Sequence, residues 1–351
     1  SWYKCPSKEG CGMMKLLPAV GLLLVGSALP VAAQTMKLPV AAVEAPVSPV
    51  RTQQYETVAQ SDQVDSTTQA TKLKFNRDDY DRMTVPVRVA GAGPYRFLVD
   101  TGADRTAISS ELAQRLSLHD RDHVVLHSVT GASDIETANV SVLDVAAKQV
   151  KNVNAALLDS AHIGADGILG LDSLRSQRVL FDFKKQTLTI VPSDTYVRED
   201  KDTIVVTARV KNGRLILTQA RAESTPLTLV VDTGAQISIG NEALRRKLSR
   251  GSVKRTGPVE LQSVTGEKLA GEYTIVRELT VGGITLKKLP IVFADSHAFK
   301  RLGLDDKPAL LLGMNALRSF DRVSIDFYRK KLKVVLPEEG ALQTRMVAAL
   351  R

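Results

Sequence analysis

Cysteine is nearly missing from this chain of 351 residues, and the two it has, Cys5 and Cys11, sit at its extreme start. Nothing after residue 11 can form a disulfide, act as a thiolate nucleophile or offer sulfur to zinc. Histidine is scarce as well, with five residues, and His119 and His162 lack ligand-like spacing, so neither a metal nor any other cofactor is expected. Long apolar runs are also missing. The longest candidate, Leu16–Leu29, is interrupted by Pro18, Gly21 and Gly26 and falls short of the ~20 residues that span a bilayer.

Met13-Met14-Lys15 before that stretch and Val31-Ala32-Ala33 after it complete the anatomy of a secretory signal peptide. Residues 1–33 are therefore read as an upstream extension plus signal peptide, with an uncleaved membrane anchor as the weaker alternative. The expected location is periplasmic or secreted, and no Cys follows the stretch to make a lipoprotein. Loss of residues 1–33 removes Lys4, Lys8, Lys15 and Glu9, which lowers the formal charge from +9 to +7. A basic exported chain meets anionic envelope surfaces before it meets nucleic acid, so no nucleic-acid partner is expected. The acid-free run Arg245–Arg255 carries six of the positive charges and is read as a solvated helix and loop rather than a docking patch. Residues 34–71, rich in Gln, Thr, Ser, Val and Pro, are read as a flexible tail, with a removable pro-segment as the alternative.

The rest of the chain is written twice. Arg82–Ala103 ("RMTVPVRVAGAGPYRFLVDTGA") aligns without a gap on Arg214–Ala235 ("RLILTQARAESTPLTLVVDTGA"), which places Asp100 and Asp232 132 positions apart. "SVTG" follows at Ser128–Gly131 and again at Ser263–Gly266, and the block Ile168–Val191 is echoed by Leu311–Val335. Blocks in the same order define two lobes, 72–193 and 203–337, joined by the polar stretch Ser193–Asp202, with 338–351 as a C-terminal tail. Alternation at Val85, Val87 and Val89 marks a half-buried strand, and each SVTG has the look of a hairpin tip. Short helices are expected over Ser110–Leu116 and Asn241–Leu248, with Ser110 and Asn241 as N-caps, and again near Asp172 and Asn315. Many short strands and little helix predict an all-β fold of two tandem closed barrels related by pseudo-two-fold symmetry, each with a short helix.

A carboxylate at the end of a buried strand, followed by Thr and Gly, suits a loop that meets its own copy. Gly lets another chain approach closely, and a Thr hydroxyl can both donate and accept across the contact. On a pseudo-two-fold axis Asp100 and Asp232 would face each other. Two carboxylates that close cannot both ionise, so the pair holds one proton. One could then deprotonate a water while the other hydrogen-bonds a carbonyl, which is amide hydrolysis without a metal, a Cys or a Ser nucleophile.

At these residues the sequence resembles the retropepsin-like aspartic proteases. "DTGADRT" at Asp100–Thr106 is similar to the retroviral active-site loop, and "ILGLDSLR" to the apolar-apolar-Gly element that braces it. The resemblance implies catalytic roles for Asp100 and Asp232, and a cross-lobe hydroxyl grip for Thr101 and Thr233. Gly102, Ala103, Gly234 and Ala235 complete the two loops, with Thr106 and Ser238 bonding local backbone. It implies braces at Ile168-Leu169-Gly170 and Leu311-Leu312-Gly313. It also implies flap tips at Ser128, Val129, Thr130, Gly131 and at Ser263, Val264, Thr265, Gly266, closing over an extended peptide. Leu171-Asp172 and Met314-Asn315 follow the bracing glycines where retroviral enzymes carry Arg, so Asp104 is expected to lack its Arg partner, and its counterpart is Gln236. No Tyr lies beside either SVTG, His127 is expected to be merely tolerated on its strand, with a flap contact as the alternative, and Asp182 and Asp326 are read as hairpin-turn residues. The function implied is a single-chain endopeptidase, a monomer acting as its own pseudo-dimer on protein or peptide substrates. The alternatives are an inactive peptide-binding module on the same fold, or a chain that dimerises like with like.

Overall fold

The computed structural model describes residues 71–74, 83–119, 121–146, 148–198, 202–211, 213–248 and 253–337. The signal peptide, nearly all of the 34–71 tail, the 338–351 tail and part of the 245–255 basic run lie outside the described residues. The first half contributes β1 (Thr71–Lys74), β2 (Thr84–Val89), β3 (Ala92–Val99), β4 (Ala107–Ser109), β5 (Arg121–His127), β6 (Ala132–Val145), β7 (Lys148–Leu158), β8 (Gly167–Leu169), β9 (Gln177–Asp182) and β10 (Thr187–Pro192). The second half contributes β11 (Thr203–Thr207), β12 (Arg209–Lys211), β13 (Arg214–Ala222), β14 (Thr225–Val231), β15 (Ser238–Gly240), β16 (Val253–Gln262), β17 (Lys268–Val281), β18 (Ile284–Phe293), β19 (Ala309–Leu312), β20 (Arg322–Asp326) and β21 (Lys331–Val335). Short helices α1 (Ser110–Arg115), α2 (Ser160–Ile163) and α3 (Leu171–Leu174) belong to the first half, and α4 (Glu242–Lys247), α5 (His297–Leu302) and α6 (Met314–Leu317) to the second.

Each half closes a barrel. In the first, the sheet runs β2-β3-β8-β4-β7-β6-β5, and β2 also pairs with β6, so six strands form a ring with β5 outside it. In the second, β13-β14-β19-β15-β18-β17 closes through the β13–β17 pairing, with β12 and β16 attached. Closure removes the free edges that open sheets must otherwise protect. Alternation is clear in β2, where Val85, Val87 and Val89 are buried and Pro86 and Arg88 are exposed.

The strands leading to Asp100 and Asp232 break that alternation. Phe97, Leu98 and Val99 are all buried, as are Leu229, Val230 and Val231. Phe97 and Val99 face the barrel core, whereas Leu98 joins a second apolar cluster with Ala107, Leu158 and Ile168. Val230 does the same with Ile239, Phe299 and Leu311. A strand covered on both faces is apolar throughout.

The helices α1 and α4 start where a side chain can accept an unpaired backbone N–H. Asn241 Oδ1 accepts Leu244 N at 2.9 Å, as expected, but the cap of α1 is Ser109, accepting Leu112 N at 3.1 Å, rather than Ser110. The SVTG segments are hairpin tips, between β5 and β6 and between β16 and β17.

The halves are joined by a third sheet of order β1-β10-β9-β20-β21-β11, three strands from each. At its centre β9 and β20 run antiparallel with Leu180 opposite Ser324. These two are equivalent positions of the repeat, since Phe181-Asp182 matches Ile325-Asp326, so the pseudo-two-fold axis passes between them. Beside it, Arg178 Nε lies 3.0 Å from Asp326 Oδ2 and Arg178 Nη2 donates to Ser193 O at 2.9 Å, with both side chains buried. Asp326 is thus more than a turn residue, although its Oδ1 also accepts Arg329 N at 2.8 Å, as Asp182 Oδ1 accepts Lys185 N.

Candidate active site

The strands β3 and β14 each deliver an aspartate to the boundary between the barrels. Asp100 N donates to Leu169 O and Asp232 N to Leu312 O, both at 3.0 Å, so the bracing elements hold the loops by main chain. Ala103 O and Ala235 O then accept Leu171 N at 2.9 Å and Met314 N at 2.8 Å. Ile168 and Leu311 line the cleft beneath the loops.

The hydroxyl grip is reciprocal. Thr101 Oγ1 donates to Val231 O at 2.9 Å and accepts Thr233 N at 3.1 Å. Thr233 Oγ1 donates to Val99 O at 2.7 Å and accepts Thr101 N at 3.0 Å. All four bonds cross between lobes and are buried, which fixes the two loops as one unit.

Gly102 and Gly234 meet the carboxyl group of the other lobe. A Cβ at Gly102 would lie 2.5 Å from Asp232 Oδ1, and one at Gly234 would lie 2.3 Å from Asp100 Cγ. Any side chain at either position would push the loops apart. Each carboxylate also accepts from its own loop: Asp100 Oδ1 from Gly102 N (2.7 Å) and Ala103 N (3.1 Å), Asp232 Oδ1 from Gly234 N (3.0 Å) and Ala235 N (3.2 Å). Burial, followed by the charge of Asp232, pushes the pKa of Asp100 up to about 7 despite those bonds. Burial also raises that of Asp232, against the nearby Arg214 charge and a side-chain hydrogen bond with Asp100.

The residues after the bracing glycines carry a task that sequence reasoning missed. Asp172 Oδ1 accepts Thr106 Oγ1 at 2.7 Å and Thr106 N at 3.0 Å. Asn315 Oδ1 accepts Ser238 Oγ and Ser238 N, both at 2.9 Å. The same hydroxyls accept Gly170 N (3.2 Å) and Gly313 N (3.0 Å), so Thr106 and Ser238 bond the brace rather than only their own loop. The signal lay in the repeat: an Asp or Asn two residues after each bracing Gly.

The expectation that Asp104 lacks an Arg partner is overturned. Arg214 Nη1 lies 2.9 Å from Asp104 Oδ1, oriented as an ion pair rather than an aligned hydrogen bond. Arg301 Nη2 lies 3.8 Å from Asp104 Oδ2. Arg214 comes from the other lobe and also donates to Gly102 O through Nε at 3.0 Å and through Nη2. Its sequence trace was the gapless alignment of Arg82 with Arg214.

Both SVTG tips reach across the cleft. Val129 packs against the apolar cluster of lobe 2, and its carbonyl accepts His297 N and Ser296 Oγ, both at 2.9 Å. Val264 packs against the cluster of lobe 1, and a Cβ at Gly266 would lie 2.3 Å from the His162 ring. His127 is more than tolerated: its Nδ1 lies 3.0 Å from His297 Nε2, with the rings within 13° of parallel. The flaps also touch each other. Thr130 Oγ1 lies 3.3 Å from Ser263 Oγ, and Glu267 accepts from both Thr130 and Ser133. Ser128 Oγ and Thr130 Oγ1 lie 2.7 Å apart within one tip, as do Ser263 Oγ and Thr265 Oγ1 in the other.

Beneath the flaps is a cavity of about 610 Å³ that reaches both carboxyl groups and is lined mainly by apolar side chains. Among the described residues no group of three or more His, Cys, Asp or Glu is placed to hold a metal. A family model for aspartyl proteases matches residues 85–173 and again 218–316, one match in each half and together more than half of the chain. No curated protein matches the chain. Two matches in order, on two barrels that each carry one Asp-Thr-Gly loop, establish that the chain belongs to the retropepsin-like aspartyl protease family.

Proposed function

We propose that the protein is an aspartic endopeptidase in which Asp100 and Asp232 act as one dyad. The carrying observation is the mutual approach of the two loops, with each glycine against the opposite carboxyl group and both carboxyl pKa values raised. As pH falls through about 7 the pair takes up one proton, and the second carboxyl group stays ionised until more acid pH. An extended peptide lies in the cleft, and a water sits between the carboxyl groups and the scissile carbonyl. The ionised carboxylate takes a proton from that water as its oxygen attacks the carbonyl carbon. The protonated carboxyl donates to the carbonyl oxygen, giving a gem-diol. The carboxyl group that took the water proton passes it to the amide nitrogen, the C–N bond breaks, and a gem-diol hydroxyl returns its proton to the dyad, which releases the amine and the new carboxyl product with the dyad again holding one proton. The Thr101–Thr233 grip keeps the two carboxyl groups at working distance.

The substrate is an exported or envelope protein or peptide, and one chain suffices for the site. Asp100→Asn and Asp232→Asn should each lower kcat by at least about 100-fold, and the double variant should be little worse than either. Wild-type turnover in either single variant, measured on a mixed peptide library, rules out the dyad.

A further inference from the structure

The two ends of the cleft differ in charge, because the lobes have diverged at equivalent positions. At one end lie Asp104 and Arg105 of lobe 1 with Arg214 and Arg301 of lobe 2. At the other, Gln236 and Ile237 replace Asp104 and Arg105. Ile237 packs into an apolar cluster, and Gln236 Nε2 is a buried donor without a partner.

At the charged end Arg214 is already engaged, held by Gly102 O and Asp104 and only 12% exposed. It neutralises Asp104. Arg301 stands farther from Asp104, at 3.8 Å, and is 43% exposed, and Arg105, next to Asp104 in the chain, is exposed as well. The neighbouring acids do not cancel them. Asp295 lies 3.0 Å from Lys300, and Glu260 lies 2.7 Å from Lys268. His127, at the same end, has its pKa lowered by burial first and then by Arg301, ahead of the opposing effect of Asp104. The local field is therefore positive in spite of Asp104.

Resting on the protease reading, we propose that Arg301 is a specificity-determining residue: it selects substrates with an acidic side chain on one side only of the scissile bond, flanking an apolar centre. The neutral far end, with its free amide donor, gives no such selection, so the peptide binds in one direction.

The test takes one cleavable peptide and places Glu, Gln or Lys in turn at each position flanking the cut. Glu should exceed Gln in kcat/KM by about five-fold at a position on one side, the scale of a part-exposed ion pair, with Lys poorest. Arg301→Gln should bring the Glu-to-Gln ratio to about one, and Arg301→Lys should retain part of it. An active wild-type enzyme without Glu preference overturns the proposal, as does a preference that survives Arg301→Gln. Peptide binding to the Asp232→Asn variant, followed by fluorescence anisotropy, separates the two claims. A chain that binds Glu peptides preferentially but never cuts keeps this assignment and loses the protease reading. A chain that cuts without preference does the reverse.

Discussion

Asp100 and Asp232 each use one oxygen to accept two loop N–H groups, and both residues line the cleft. Backbone donors favour the ionised form and burial disfavours it; the neighbouring carboxyl raises Asp100 but, through a hydrogen bond, lowers Asp232, and burial wins at both positions. Two pH effects follow. Turnover should fall as pH rises through about 7, where the shared proton leaves and the donor to the carbonyl oxygen is lost, and fall again in acid, where both carboxyl groups are protonated and the base is lost; a bell-shaped kcat profile checks this. A carboxyl group whose folded pKa lies above its unfolded value of 3.8 holds a proton that the unfolded chain has released, so the fold loses stability as pH climbs from 3.8 toward 7. Asp100→Asn should therefore raise the thermal midpoint at pH 8 and leave it nearly unchanged at pH 3, as calorimetry can show. These aspartates were legible in the sequence because the triplet is rare and came twice. The pairing of Arg214 was not, since its alignment with Arg82 marks a repeated position but does not report a partner reached through space across two lobes.

The elements around the dyad are equivalent in outline and unequal in attachment. The lobe 1 flap is bonded to the start of α5 by two donors to Val129 O and by the His127–His297 contact, whereas the lobe 2 flap meets α2 through packing at Val264 and Gly266. Ser296→Ala removes one of those donors. Amide hydrogen exchange in 128–131 should quicken by about five-fold, on the scale of one hydrogen bond, and exchange in 263–266 should change less. His127 is held below its ordinary pKa of 6.5 by burial, Arg301 and His297, against Asp104. A depressed histidine stabilises its contact above that value and loses it in acid. Protection of the lobe 1 flap should fall below pH 6.5, and His297→Phe should weaken that dependence without abolishing it, since burial and Arg301 remain. The flaps, loops and braces could be read as repeated blocks. The docking site at α5 could not, because lobe 1 has only the four-residue α2 at the corresponding place.

At the scale of the molecule the halves are inseparable by design of their strands. The central β9–β20 pairing joins residues 140 to 148 positions apart and was invisible in the sequence, since cross-lobe register depends on a partner that no local periodicity reports. The Arg178–Asp326 pair beside it is 4% and 1% exposed. Asp326→Ala leaves a buried guanidinium uncompensated and should cost about 3–5 kcal/mol in urea unfolding, while Arg178→Met with Asp326→Leu should recover most of it. The shared sheet also changes how the site responds to dilution. An active centre assembled from two separate chains dissolves when its concentration falls below the dissociation constant. Here the second half is supplied at the effective concentration of a short connector, so activity per molecule should stay constant however sparse the protein becomes. The connector also frees each half to change alone, since a substitution in one barrel no longer appears in the other.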